Sequence, residues 1–294
     1  MTNPTTLADE FETHRPHLRA VAYRMLGSLA EADDAVQEAW LRLSRSDAGS
    51  IDNLGGWLTT VTARICLDML RSRRARREET AGAHIPEPLL SAAAGPDPEQ
   101  EALLADQVGL ALLVVLETLT PAERLAFVLH DMFGVPFDQI AAIAGRSPNA
   151  ARLLASRARR RVHGAAPLPD TDPARQKQVV DAFLAASRSG DFDALVTLLD
   201  PDVVVRADWG ALPVSASREL RGAHAVAEQA LTFSRLAPFA QPALVNGAPG
   251  IVAARRGQPV TVMGFTIRNG KIAEIDILAD PERLRQLDLA VLDG

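Results

Sequence analysis

The residues best equipped for recognition chemistry fall in one stretch: Arg146, Asn149, Arg152, Ser156, Arg157 and Arg160. No acidic residue occurs between Arg146 and Arg161. Arginines reach phosphates and guanine edges, so this set suits binding a nucleic acid rather than breaking a bond. Ala151, Ala155, Ala158 and Val162 recur at i, i+4, i+7 and i+11 as a thin apolar stripe. Arg152, Ser156, Arg157 and Arg160 lie off that stripe, whose small alanines let the helix sit close to its neighbours. The same composition also describes a solvated basic helix, and the surrounding elements must decide between the two.

Those elements have a recognisable order. A helix from Thr120 breaks at Phe133-Gly134-Val135-Pro136, and a second helix is predicted over Phe137–Ala144. A turn follows at Gly145-Arg146, and a third helix opens with Ser147 as N-cap and Pro148 at its first position. Helices joined by a tight Gly-containing turn form a helix-turn-helix, whose second helix enters a DNA major groove.

A second cationic group, Arg71, Arg73, Arg74, Arg76 and Arg77, ends a helix predicted over Trp57–Arg77. The helix dipole favours cations there. Five arginines in seven residues exceed that need and point to nucleic acid. Upstream, a helix predicted over Ala30–Ser44 mixes Glu31, Asp33, Asp34 and Glu38 with Ala35, Val36, Ala39, Trp40 and Leu43. Phe11, Leu18, Ala22 and Leu26 give the first helix its period, Gly27-Ser28 breaks it, and Asp47–Gly56 reads as a loop.

A chain of 294 residues with 47% apolar content has room for about two or three domains. No apolar run approaches the ~20 residues of a membrane span. The N-terminus MTNPTTLADEFETH is polar and acidic, unlike a signal or transit peptide, so a soluble cytoplasmic protein is expected. The single cysteine, Cys66, excludes an internal disulfide and cannot alone make a zinc site; no metal or cofactor is implied. The net charge of −6 hides segregation, with basic clusters at Arg71–Arg77 and Arg146–Arg161 and acids at Glu31–Glu38.

Two linkers divide the chain. In the first, residues 80–100, His84-Ile85-Pro86-Glu87-Pro88-Leu89-Leu90 reads as a segment that docks rather than a floppy tether. A helix is expected over Glu101–Thr118. Beyond the second linker, 164–174, helices are predicted at Arg175–Ser189, Phe192–Leu199 and Ala223–Leu236. Strands are predicted at Val203–Arg206, Leu244–Asn246, Gly250–Arg255, Thr261–Arg268 and Lys271–Leu278. Asn269-Gly270 signals a type I′ hairpin. A last helix, to Leu292, is capped by Asp280 with Pro281 at its first position. The expectation is an α+β domain with helices on one face of a curved antiparallel sheet.

Taken together, residues 7–163 resemble the extracytoplasmic-function (ECF) sigma factors. Leu18–Leu43 looks like the conserved part of sigma region 2, with its acidic polymerase-docking helix. Trp57-Leu58, Ala63-Arg64 and Leu67-Asp68-Met69-Leu70-Arg71 look like the helix that reads and opens the −10 element. Thr120-Pro121-Ala122-Glu123-Arg124 and the helix-turn-helix look like region 4, which reads the −35 element. The part from Arg175 onward resembles the SnoaL-like branch of the NTF2-like cone fold, a fusion that marks the ECF41/SigJ-like subgroup. That subgroup's three further motifs correspond to His84-Ile85-Pro86-Glu87-Pro88, Ala207-Asp208-Trp209-Gly210-Ala211 and Ala279-Asp280-Pro281-Glu282-Arg283-Leu284.

The resemblance implies a multidomain chain: region 2 at 7–79, a linker, region 4 at 101–163, and a regulatory domain at 175–294. It implies an alternative sigma factor, not an enzyme, with core RNA polymerase (β and β′ subunits) and promoter DNA as partners. Asp33, Asp34, Glu38, Trp40 and Leu43 would dock on polymerase; Arg64, Asp68, Arg71, Arg73 and Arg74 would hold the −10 strand. Arg146, Asn149, Arg152, Ser156, Arg157 and Arg160 would read the −35 groove. Pro86, Glu87, Pro88, Asp208, Asp280, Pro281, Arg283 and Leu284 would serve control in cis, in place of a separate anti-sigma factor. A small-molecule ligand of the C-terminal domain stays open.

Two other readings stay open at this point. A ligand-responsive helix-turn-helix regulator accounts for Val135–Arg161 but not for the acidic helix or the Arg71–Arg77 end. A SnoaL-like enzyme fused to a DNA-binding domain would need an acid/base pair in a dry cavity. Its candidates are Asp208, His224 and Asp276, of which Asp276 is expected to face solvent from an alternating strand.

Overall fold

The computed structural model describes residues 4–47, 49, 51–77, 84–91, 109–165, 170–210, 219–232 and 237–287. Local signals set most helix ends. α1 (Pro4–Leu26) stops where Gly27 takes φ +71°, and Ser28 caps α2 (Leu29–Ser44) by accepting from the Glu31 amide. α3 (Leu54–Arg77) begins earlier than Trp57, running through Gly55 and Gly56. Asn53 explains this, since its side-chain oxygen accepts from the Gly56 amide at 2.9 Å and satisfies an orphan donor of the first turn.

α4 (Leu110–Glu117) is followed by α5 (Pro121–Phe127), a single π turn over Val128–Met132, α6 (Phe137–Ala144) and α7 (Pro148–Ala165). Thr120 and Glu123 form a capping box on α5. Gly145 adopts φ +65° between α6 and α7, and Ser147 Oγ accepts from the Ala150 amide. Ala151, Ala155 and Ala158 are fully buried and Val162 nearly so, as the stripe predicts.

The chain divides into two compact units. In the first, residues up to Arg77 and from Val115 to Ala165 share one body. There α3 packs against α5 and α6, and α1 meets the π turn. The lone Cys66 lies in this interior, and burial pushes its thiol up to about 12, so it is an inert core side chain.

In the second unit, α8 (Pro173–Ser189), α9 (Phe192–Leu198) and α10 (Ala223–Thr232) cover one face of a seven-stranded sheet, and α11 (Pro281–Leu284) follows its last strand. Its strands are β1 (Leu90–Ser91), β2 (Leu199–Asp208), β3 (Leu220–Arg221), β4 (Ala240–Val245), β5 (Ala248–Arg255), β6 (Gln258–Arg268) and β7 (Lys271–Leu278). Their spatial order is β1-β4-β5-β6-β7-β2-β3. β6 and β7 form the expected hairpin, with Asn269 and Gly270 both at positive φ. Two features depart from the predicted antiparallel meander. β7 returns beside β2 in parallel, because a long excursion through α10 and β4–β6 separates them. The linker also contributes an edge strand, Leu90–Ser91 pairing with Leu244–Val245.

Neighbouring strand residues face opposite sides. Ile251, Phe265 and Ile275 join the helices in one core, whereas Val252, Val262 and Leu278 pack with Ile85, Leu90, Leu110, Val114 and Leu284 in another. The expected stretches 101–108, 233–236 and 288–292, and the linkers outside 84–91 and 170–174, lie outside the described residues. So do the side chains of Arg76 and Arg77.

Candidate nucleic-acid interface

The helix-turn-helix presents a sorted set of cations. Arg146, Asn149, Arg152, Ser156, Arg157 and Arg160 are all exposed on the side away from the alanine stripe. Arg159 and Arg161 are spent on structure instead: Arg159 lies 3.1 Å from Asp131, and Arg161 2.8 Å from the buried Glu123. Arg152 is braced for side-on presentation. Its guanidinium donates to Asn149 Oδ1 at 2.9 Å and sits 5.6 Å from the Phe137 ring centroid.

The α3 cations divide in the same way. Arg71 and Arg74 are exposed, Arg71 within 3.4 Å of the exposed Asp68. Arg73 differs from the expectation that it is free to hold DNA. It is largely buried, donates to the Leu26 carbonyl at 3.0 Å, pairs with Glu31 and approaches Glu117 at 3.9 Å. A guanidinium saturated by these acceptors is a strut of the fold, not a ready phosphate ligand. Arg64 is exposed, and its Nη2 donates to the Ala142 carbonyl on α6 at 3.3 Å.

On α2, Asp33 and Asp34 are exposed and Glu38 and Trp40 half-buried. Asp33 pairs with Arg19 at 2.7 Å, Glu38 with Arg42 at 2.9 Å, and Trp40 lies against Phe11. Leu43 does not belong with them, because at 0% exposed it is core. Its heptad place puts it beneath the helix, and the exposed leucine is the neighbouring Leu41.

Buried Arg124 and half-buried Phe133, to which the sequence assigns no structural partner, join these parts. Arg124, 2% exposed, donates to the Arg24 carbonyl at 3.2 Å and to Glu117 at 2.6 Å. Phe133 lies edge-on to His17 and beneath the Arg24 guanidinium. No local pattern marks Glu117 or Arg124 as partners across this seam.

The second unit brings its own motif residues together around Asp208. The carboxylate accepts from the Ile85 amide at 3.0 Å, the Gly210 amide at 3.0 Å and Arg283 Nη1 at 2.7 Å, with His84 at 3.5 Å. Burial disfavours its charge, but His84, these amides and Arg283 outweigh that and hold the carboxyl below the usual aspartate range. Arg283 also donates to the Ile85 carbonyl, and Asp280 caps α11. Gly210, at φ +68°, has no room for a Cβ beside the Asp280 carboxylate, which accounts for glycine there. Pro86, Glu87 and Pro88 are buried along this edge, and Leu89 and Asn246 exchange hydrogen bonds of 3.2 and 2.8 Å. Pro281 opens α11 and Leu284 lies in the core beneath.

Asp276 overturns the solvent-facing expectation. It is 2% exposed, with Arg206 at 3.3 Å, and Arg206 also holds buried Glu274 at 2.9 Å. One guanidinium cannot neutralise two buried carboxylates, and burial pushes Asp276 up to about 7. The enzyme candidates do not form a catalytic set: Asp208 and Asp276 are each bound to an arginine, and His224 is exposed beside Phe192. No helix among the described residues is long and apolar enough to cross a membrane, and none of their His, Cys, Asp and Glu side chains group to hold a metal.

Residues 11–76 match the Sigma-70 region 2 family and residues 109–162 the Sigma-70 region 4 family. The chain is 41% identical to the ECF RNA polymerase sigma factor SigJ of Mycobacterium tuberculosis, covering 93% of this chain and 92% of that protein. It is 38% identical to the probable ECF RNA polymerase sigma factor SigI of the same organism, covering 94% of each. The crystal structure of M. tuberculosis SigJ superposes with a TM-score of 0.78 at 37% identity, over 96% of this chain and 99% of that one. Two sigma regions in order, the fused mixed-sheet domain and end-to-end likeness converge: the chain belongs to the ECF RNA polymerase sigma factors, which act with core RNA polymerase on promoter DNA.

Proposed function

We propose that this sigma factor rests in a closed form, with its two promoter readers packed on one another, and that polymerase and promoter DNA open it. One observation carries the reading. Arg64, on the −10 helix, is hydrogen-bonded at 3.3 Å to a carbonyl of the helix-turn-helix. Promoter elements centred near −35 and −10 are about 25 base pairs apart, roughly 85 Å at 3.4 Å per pair. Helices in direct contact cannot address both elements at once, so the seam through Arg64, Arg73, Glu117 and Arg124 has to part.

In the open form, Arg146, Asn149, Arg152, Ser156, Arg157 and Arg160 read the −35 major groove. Arg64, Asp68, Arg71 and Arg74 hold the melted −10 strand. Asp33, Asp34, Glu38 and Trp40 dock on the β′ subunit; exposed pairs are worth only ~0–1 kcal/mol each, so apolar anchors must add to them. The domain beyond residue 175 regulates in cis through the Asp208–Arg283 latch on the linker, in the cytoplasm, without a separate anti-sigma factor.

The test is a closed-state lock. Arg64→Cys with Ala142→Cys, bridged by a thiol-cleavable bismaleimide, should abolish run-off transcription and regain it on cleavage. The native Cys66 is buried and will not compete. Full activity of the bridged protein would refute the closed-state reading.

A further inference from the structure

Leu153 of α7 is 48% exposed, and among the described residues the other large apolar side chains left in the open are Leu41 and Phe239. A single exposed leucine on a surface needs no explanation, but the place of this one does. It is the sixth residue of the helix and stands two residues from both Ala151 and Ala155, about 200° around the axis from each. Those alanines are buried, so Leu153 points away from the core, at the middle of the exposed face. Asn149 and Arg157 lie one turn to either side of it, and Ser156 and Arg160 are exposed with them. The long neighbouring side chain of Arg152 leaves it uncovered, because that guanidinium is held by Asn149 at 2.9 Å and over the Phe137 ring. Helix propensity does not call for leucine here, since alanine, used at Ala150, Ala151 and Ala155, is the better helix former.

An apolar side chain on a DNA-reading face discriminates in two directions. Among the base edges of the major groove, only thymine presents an apolar group, its C5 methyl; the other edges present donors and acceptors. Leucine against that methyl group removes apolar surface of both partners from water. Leucine against a guanine N7 or a cytosine amino group strips water from a polar atom and returns no hydrogen bond. A recognition helix meets base edges through its N-terminal residues, and the sixth residue lies in its second turn. The arginines around Leu153, with no acidic residue from Arg146 to Arg161, suit this face to DNA rather than to an apolar protein surface.

We infer that Leu153 is a specificity-determining residue, which packs on the C5 methyl group of a thymine in the −35 major groove. The inference rests on the proposed −35 reading by α7 and adds an apolar contact to its six polar readers.

The test uses the full-length protein with core polymerase in run-off transcription. On a promoter that this holoenzyme transcribes, each thymine of the −35 element is replaced in turn by deoxyuridine, which lacks only the methyl group. At one thymine, wild-type output should fall by about fourfold, the worth of one buried methyl group. Leu153→Ala should lower output from the thymine promoter by a similar factor and lose nothing more on deoxyuridine. Leu153→Met, which keeps an apolar side chain of similar volume, should retain the response to the methyl group. A −35 element without a thymine, no loss at any deoxyuridine, or an undiminished methyl response in Leu153→Ala overturns the inference. Arg152→Ala separates the two readings. A protein that needs Arg152 at one −35 sequence but ignores the methyl group loses only the role of Leu153. Indifference to both overturns the −35 reading as well.

Discussion

Glu117 accepts a hydrogen bond from Arg124 at 2.6 Å, joining side chains that are 12% and 2% exposed. Arg73 of region 2 reaches the same carboxylate at 3.9 Å. One acid thus faces two guanidinium groups, one on each side of the seam between regions 2 and 4. Arg73 is also paired with Glu31, while Arg124 Nη2 has no further hydrogen-bond partner.

Removing that acid should be expensive. Glu117→Ala leaves Arg124 buried and uncompensated, and breaking one side of a buried pair costs about 3–5 kcal/mol. Urea unfolding should show that loss, and Glu117→Gln, which keeps the volume and one acceptor, a smaller one. A change below about 1 kcal/mol, the range of a surface pair, would show that the seam does not depend on this residue.

On α7 the proposed readers and the fold-paired arginines should respond differently to substitution. Arg152→Ala should lower transcription from one −35 sequence by about 1–3 kcal/mol of discrimination, roughly 5- to 160-fold, with other promoters less affected. Arg161 is exposed too, but its guanidinium is paired with the buried Glu123, so Arg161→Ala should reduce stability with no shift in promoter preference. Equal loss at every promoter for Arg152→Ala would make that residue a phosphate contact only.

Two aspartates give opposite pH responses. Asp208 titrates below its unfolded value, so its stabilisation is complete above about pH 3.9 and is lost as pH falls through the folded value. The amide signals of Ile85 and Gly210, which donate to it, should report release of the latch in that acid range. Asp276, raised to about 7, makes the folded state bind more protons than the unfolded one between about pH 4 and 7. Stability should therefore fall as pH rises across that window, by up to about 1.4 kcal/mol per pH unit. Asp276→Asn should flatten the profile; an unchanged slope would assign the titration to another group.

The features legible in the chain are those that depend on neighbours a few residues away. Ser28, Thr120 and Ser147 cap helices because a side-chain oxygen reaches an amide three residues on. The alanine stripe of α7 is buried because its period is that of a helix, and Asn269-Gly270 turns because both residues accept positive φ. These signals sufficed for the helix-turn-helix, for the six exposed polar residues beside it, and for the change to strands beyond the second linker. Even the Ala207-Asp208-Trp209-Gly210-Ala211 segment retains the acid and the glycine that the latch uses.

The tertiary structure decided which of several like residues are consumed by the fold. Arg71, Arg73 and Arg74 are alike in a sequence, yet Arg73 alone turns inward, because its partners Leu26 and Glu31 lie 47 and 42 positions away. Leu43 is buried where α2 packs against α1 and α3, and Asp276 where β7 runs beside β2, a parallel pairing that no short-range pattern encodes. Ion pairing, burial and strand order depend on which segments meet. Meeting is set by the summed packing of two cores, and no window of a few residues contains that sum.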